Sequence, residues 1–230
     1  MSDSVIKGTS HDAIELLQSP LKLPCGQTLP SRIVKCPMQE TLAVPPLCIP
    51  PIVEFRRLYS RWARGSFGLL ITGQVQVDLD HLSTPTDVAV APGTLSDPTK
   101  MNAWTEWAAV SQSHGTPAIV QLAHPGKRGH KAYRPKGVPS QAPSAINVNV
   151  GPGRSNDLMR QMKFGEASEM SEKEIDVFVE KWIYACKVVK QAGWAGVGIH
   201  GAHGFLLSEF LSPAANQRKD KYGGSPEGRM

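Results

Sequence analysis

The chain has 230 residues, 40% hydrophobic and 20% charged, with a formal net charge of +5, enough apolar material for one sizeable domain. No apolar run reaches the ~18 residues that suggest a bilayer span, and the basic residues are too dispersed for a nucleic-acid footprint. The N-terminus MSDSVIKGTSHDAIELL is no secretory signal, and Cys25, Cys36, Cys48 and Cys186 are scattered without a C-x-x-C pair, which fits a reducing, cytoplasmic compartment and gives no zinc ribbon.

Residues 31–36, SRIVKC, predict a short strand ended by Pro37. Over residues 51–64, apolar positions 52, 55, 58, 59 and 62 recur at helical spacing until Gly65 stops the run. Residues 68–77, GLLITGQVQV, predict a buried strand. Asp97-Pro98 opens a helix over about 98–113, with the proline at its first position and Gly115 beyond its end. Residues 117–122, PAIVQL, predict a third strand. The Pro- and Gly-rich region 124–170 reads as a long excursion containing a hairpin. Ser171 and Glu174 form a capping box for a helix running to about Gln191 and stopped by Gly193. Residues 195–200, AGVGIH, predict a fourth strand. Strands alternating with helices imply a parallel sheet with helical crossovers, either doubly wound or a (β/α)8 barrel.

Residues 196–213, GVGIHGAHGFLLSEFLSP, contain Gly196, Gly198 and Gly201 in the G-x-G-x-x-G order of a dinucleotide-binding loop. That loop needs its first glycine at the end of a strand and its last at a helix start. Here the first two glycines fall inside an apolar run preceded by a helix end, so the fingerprint is out of phase. The other reading puts His200 at the C-terminal end of a parallel strand and His203 three residues on, at the edge where α/β folds bind ligands. Two imidazoles there can donate to one ligand oxygen, each worth roughly 3 kcal/mol if negative charge develops on it. A metal pair would need further ligands nearby, and two buried structural histidines are the remaining alternative.

Residues 199–229, IHGAHGFLLSEFLSPAANQRKDKYGGSPEGR, resemble the central signature of the old yellow enzyme family, FMN-dependent NAD(P)H oxidoreductases built on a (β/α)8 barrel. LKLPCGQTLPSRIVKCPM looks like the family's N-terminal hairpin and first strand, LYSRWARGSFGLLITGQVQVD like its first helix and second strand, and QLAHPGKRG like its third strand and following loop. The resemblance implies an α/β fold of the TIM-barrel family with about the first four β/α units present. Residues 1–18 would be an N-terminal extension and residues 19–230 the partial barrel domain.

It further implies FMN as cofactor, NADPH or NADH as reductant, and a small-molecule substrate with an α,β-unsaturated carbonyl. Pro37 and Met38 match the turn lying against the flavin, Gly73 the small residue that leaves room for the ring, and Gln121 the glutamine that hydrogen-bonds the pyrimidine. His200 and His203 match the pair that grips the substrate carbonyl. The run Asn216, Arg218 and Tyr222 reads as loop architecture, and Trp62, Trp104, Trp107 and Trp182 as core or helix-face residues.

Three departures stand out. Phe205 occupies the place of the tyrosine proton donor, and phenylalanine has no proton to give; this raises isomerisation or cyclisation as an alternative chemistry. Gln39 stands where the family has Thr, Ser or Cys beside the flavin. The chain also reaches Met230 where a fourth helix should begin, so the expectation is a truncated, partner-requiring or non-catalytic homologue, or a barrel completed by a second copy or another chain.

Overall fold

The structure, a computed structural model, describes residues 10–230. Residues 1–9 of the expected extension lie outside the described residues, and a helix, α1 (Ser10–Gln18), covers the rest. Strands β1 (Leu21–Lys22) and β2 (Thr28–Leu29) pair antiparallel as a small hairpin. The repeating part follows: β3 (Val34–Lys35), α2 (Ile52–Ala63), β4 (Leu69–Gln76), the short β5 (Val88–Ala89), α3 (Pro98–Ser111) and β6 (Ala118–Ala123). After an excursion holding β7 (Ser140–Ala142), α4 (Arg154–Lys163) and β8 (Ala167–Glu169) come α5 (Glu172–Gln191), β9 (Gly196–Ile199) and α6 (Leu206–Leu211).

The main sheet runs β3-β4-β6-β9 with every pairing parallel, and β5 joins the C-terminal end of β4. Helices α2, α3 and α5 are the crossovers that parallel neighbours require. Local chemistry places their ends. Asp97 accepts from the backbone N–H groups of Thr99 and Lys100, with Pro98 at the first helical position of α3. Ser171 and Glu174 complete both halves of the capping box of α5.

The core lies between the helices and one face of the sheet. Trp107 is its hub: its ring centroid is 4.5 Å from Phe55, 5.4 Å from Tyr59, 5.6 Å from Trp104 and 4.9 Å from Trp194. Trp104 and Trp107 are fully buried, and Trp62 and Trp182 pack against the same cluster. The opposite face, which would line a barrel, carries the half-buried Ile71, Gln74, Ile119 and Gln121. The sheet is open at both edges, with Ile33 and Val34 exposed on the β3 side and Ile199 65% exposed on the β9 side.

The excursion differs from the expected hairpin. β7 and β8 run parallel, Ser140 opposite Ala167, and α4 is the crossover between them. Gly165 ends α4 at φ +74°, the left-handed conformation in which glycine serves as a helix stop. Just past the ends of the two strands, buried Arg218 donates Nη1 to the carbonyls of Pro143 (2.9 Å) and Met170 (2.5 Å). Asn216 Nδ2 donates to the carbonyls of Phe210 and Tyr222. Arg218 thus lashes the excursion to the segment after β9, and Asn216 braces that segment internally.

A buried charge cluster joins the C-terminal ends of β4 and β6. Asp78 Oδ2 lies 2.8 Å from His81 Nδ1, 3.7 Å from His124 Nε2 and 2.6 Å from Lys181 Nζ on α5. His81 Nε2 faces the Pro139 carbonyl at 3.1 Å, which can only accept, so that nitrogen carries a proton. The three donor atoms are close enough to hold a metal, but Lys181 already supplies a cation. In addition, the Gly126 N–H donates to His124 Nδ1, which leaves the proton on Nε2. Burial alone would raise the Asp78 carboxyl, but His124 and His81 outweigh it and hold it far below the usual carboxylate range. Burial lowers His124 to about 4 against the pull of Asp78.

Buried Glu209 on α6 is the reverse case. Burial raises it to about 8 against the nearby Lys127 and Arg128, and its Oε2 has no hydrogen-bond partner among the described residues.

Two pH effects follow from linkage. His124 has a folded pKa below its unfolded value, so the unfolded chain binds the extra proton between about pH 6.5 and 4. Stability should fall as pH drops through that window, by roughly 3 kcal/mol from this group; thermal melts across it give the slope. Glu209 has a folded pKa above its unfolded value, so its contribution is present below about pH 4.5 and lost as pH rises toward 8. Glu209→Gln should therefore raise the melting midpoint at pH 8 while changing it little at pH 5. Equal shifts at the two pH values would count against a raised Glu209.

Candidate active site

The C-terminal ends of β3, β4, β6 and β9 enclose a cleft of about 230 Å³ lined by Pro37, Gln39, Gln74, Gln121, His200 and His203. Five of these are expected from the sequence, and the fold brings them together from segments far apart in the chain. His200 follows β9 directly, its N–H bonded to the Leu122 carbonyl of the neighbouring strand at 2.9 Å. His203 sits on the emerging loop at φ +58°, a left-handed conformation that costs a non-glycine residue about 1 kcal/mol. The turn brings its Nδ1 to 3.2 Å from His200 Nε2. One proton serves that contact, with one nitrogen donating and the other accepting. An entering oxygen that separates the rings can accept from both once the accepting ring takes its other neutral tautomer, with its proton on the facing nitrogen. Burial, then the neighbouring His203, lowers the His200 pKa, which keeps its ring neutral at physiological pH.

Gly73 does not line the cleft; Gln74 does. The cause is a register shift between β4 and β6. Ile71 pairs with Ile119, but Gln74, not Gly73, pairs with Gln121. One extra residue on β4 exchanges which side chain faces which side. A Cβ on Gly73 would lie 2.1 Å from Glu40 Oε2 and 2.3 Å from the Met38 carbonyl. The space that Gly73 leaves is filled by the Met38–Glu40 turn, not kept open for a ring. Glu40 Oε1 accepts from the Gly73 N–H at 2.8 Å and from the Tyr59 hydroxyl, and burial raises the Glu40 carboxyl. Met38 supplies its backbone here, while its side chain is exposed.

Gln39 is tied down: its Nε2 donates to Asp87 Oδ1 at 2.5 Å and to Thr84 Oγ1 at 3.2 Å. Asp87 is itself held by Gln76, Ser83 and Thr84. Gln74 Nε2 donates to Ser83 Oγ at 2.5 Å, so both glutamines are anchored to one turn. The Gln121 backbone N–H donates to Thr72 Oγ1 at 3.0 Å, while its side-chain amide makes no hydrogen bond among the described residues. Phe205 is buried and does not line the cleft, its ring edge-on to His200 at 4.8 Å. The first two glycines of the G-x-G-x-x-G run lie inside β9, and Gly201 follows the strand.

The donor set suits a flavin. An unpartnered amide offers one donor and one acceptor to the alternating N–H and C=O groups of a pyrimidine edge, and Pro37 adds an apolar wall. Gln74 is the residue that sequence reasoning missed, because the register shift that turns it inward leaves no mark in the alternation of β4.

Comparison with known proteins places the chain in a family. The family model described as NADH:flavin oxidoreductase / NADH oxidase family matches residues 17–230. The NADH-dependent flavin oxidoreductase iliE of Hypocrea jecorina is 40% identical over 215 residues, covering 91% of this chain and 52% of the relative. An NADPH dehydrogenase of Halalkalibacterium halodurans is 33% identical over 210 residues, covering 89% and 53%. The old yellow enzyme of Trypanosoma cruzi superposes with a TM-score of 0.79 at 23% identity, over 94% of this chain and 59% of that one. Morphinone reductase in complex with tetrahydroNAD superposes with a TM-score of 0.77 at 23% identity, over 93% and 56%. The chain spans about half the length of the curated relatives it matches. The sheet is thus the first half of a TIM barrel, and the family cofactor is FMN with NADH or NADPH as reductant. On the match over residues 17–230 the chain belongs to the NADH:flavin oxidoreductase / NADH oxidase family.

Proposed function

We propose that residues 19–230 form the substrate-facing half of an FMN-dependent NAD(P)H oxidoreductase acting on an α,β-unsaturated carbonyl compound, with residues 1–18 an extension before it. The observation that supports this most is the convergence of Gln121, His200 and His203 on one cleft at the C-terminal edge of the sheet. The chemistry supplied by bound FMN is two-electron hydride transfer from NADH or NADPH to an electron-poor alkene. Gln121 would hold the pyrimidine edge and Pro37 would pack on the flavin, with Gln39 and Gln74 lining the same cleft. His200 and His203 donate to the substrate oxygen, stabilising it as negative charge develops. The open edges β3 and β9 are where the rest of a barrel, from the same protein or another chain, pairs. The free cysteines suit a reducing, cytoplasmic compartment.

Phe205 supports a second reading. With no hydroxyl beside the substrate, protonation of the α-carbon falls to water or another group, and a bound enone can be isomerised or cyclised instead of reduced.

Two experiments separate these readings. After incubation with FMN and desalting, the purified chain should keep the visible absorption of bound flavin, and Gln121→Leu should weaken retention about tenfold; a colourless protein removes the flavin reading for the isolated chain. With flavin bound, Phe205→Tyr should raise the single-turnover reduction of a simple cyclic enone by about 100-fold. Equal rates in the two proteins would show that Phe205 does not limit protonation. An isomerised product without NAD(P)H consumption supports the second reading.

A further inference from the structure

Arg128 stands beside the cleft without lining it. It closes the turn Gly126–Arg128 after β6 and reaches across to the loop after β9. Its Nη1 donates to the carbonyl oxygen of His203. Its Cζ lies 6.0 Å from the centroid of the Phe205 ring, and that ring in turn lies 4.8 Å from His200. The stem passes over Gly204, where φ is +67° and a Cβ would sit 3.4 Å from Arg128 Cδ. The turn is braced by Glu209, whose Oε1 would stand 2.7 Å from a Cβ on Gly126 and accepts from the Lys127 N–H at 3.3 Å. The guanidinium is therefore held at one corner, while its Nε and Nη2 donors make no hydrogen bond among the described residues. The side chain is exposed.

A guanidinium fixed at one corner with donors left over is suited to gripping a carboxylate in two-point geometry. The Phe205 ring is an apolar neighbour of both the guanidinium and His200. We infer that Arg128 makes this site selective for substrates that carry a carboxylate: an electron-poor alkene with its carbonyl oxygen on His200 and His203 and its anionic group on Arg128. The inference rests on the reading that the histidine pair holds the substrate oxygen. It also gives Phe205 a role that tyrosine would fill less well, since a hydroxyl there would compete for the same donors.

The test needs no turnover. Binding of 4-hydroxybenzoate and of its neutral analogue 4-hydroxybenzamide to the full chain is measured by calorimetry at low and moderate salt. The expected result is benzoate binding about tenfold more tightly than benzamide, a preference that shrinks as salt is added. Arg128→Met and Arg128→Gln should both abolish the preference, read as the ratio of the two affinities within each variant, so that any loosening of His203, whose carbonyl Arg128 holds, affects both probes alike and cancels. His200→Ala should weaken both probes alike. A preference that survives Arg128→Met overturns the inference while leaving the histidine reading intact. Probe affinities that ignore His200→Ala overturn the histidine reading, and the inference with it. Absence of binding by either probe also overturns the inference, because the site then has no useful affinity for a carboxylate.

Discussion

The buried carboxylate of Asp78 is the contact on which the C-terminal edge of the sheet depends. It lies just past β4, yet its partners come from three other places: His81 in the following loop, His124 at the end of β6, and Lys181 on α5. A lone charge at that depth would cost several kcal/mol, so each partner is needed, and each fixes a different segment. His81 carries the constraint to Pro139 in the excursion. The carbonyl of His124 accepts from the Leu206 N–H and seats the start of α6. The loop bearing His203 and Phe205 is therefore held at its far end by a strand that the same carboxylate organises.

Above this layer the cleft is built from amides and imidazoles, and each of its walls is borrowed. Gln39 comes from the turn after β3 and Gln74 from β4, and they meet on the turn that Asp87 holds together. Glu40 fills the space beneath Gly73, so the turn after β3 and the bulge in β4 fit as one unit. The buried acid, Tyr59 and the nearby Lys35, whose ammonium lies 3.9 Å from the centre of the Trp62 ring, tie that unit to α2. Such support limits movement of the turn that lines the cleft, and positional precision is what the proposed hydride-transfer site would need.

The sheet's two faces differ in how complete they are. The helix-facing side is a finished core centred on Trp107. The other side is half-buried, and its two edge strands present unpaired backbone and exposed Ile33, Val34 and Ile199. Parallel sheets are ordinarily covered on both faces, and open edges invite further pairing. Gln74 and Gln121 of this half-buried side line the cleft.

Much of this was legible in the residues. The capping box at Ser171, the Asp97-Pro98 start and the alternation of apolar runs located the main helices and strands, because those signals are local: each is a few neighbouring residues satisfying their own backbone groups. His200 and His203 were readable because a strand end followed by a tight glycine-rich turn leaves few other places for two imidazoles. Three features were decided only by tertiary packing. The 124–170 excursion became a parallel pair with a helical crossover, because Arg218, distant in sequence, binds the carbonyls beyond both strand ends. Gly73 yielded its place on the cleft to Gln74, because a register shift is set by the fit of β4 against β6 and has no signature within β4. Arg128 came to rest over Phe205, because the turn carrying it is shaped by a glutamate some eighty residues later. Short-range hydrogen bonding is written in adjacent residues; which side chains share a cavity depends on contacts that exist only once the strands have paired.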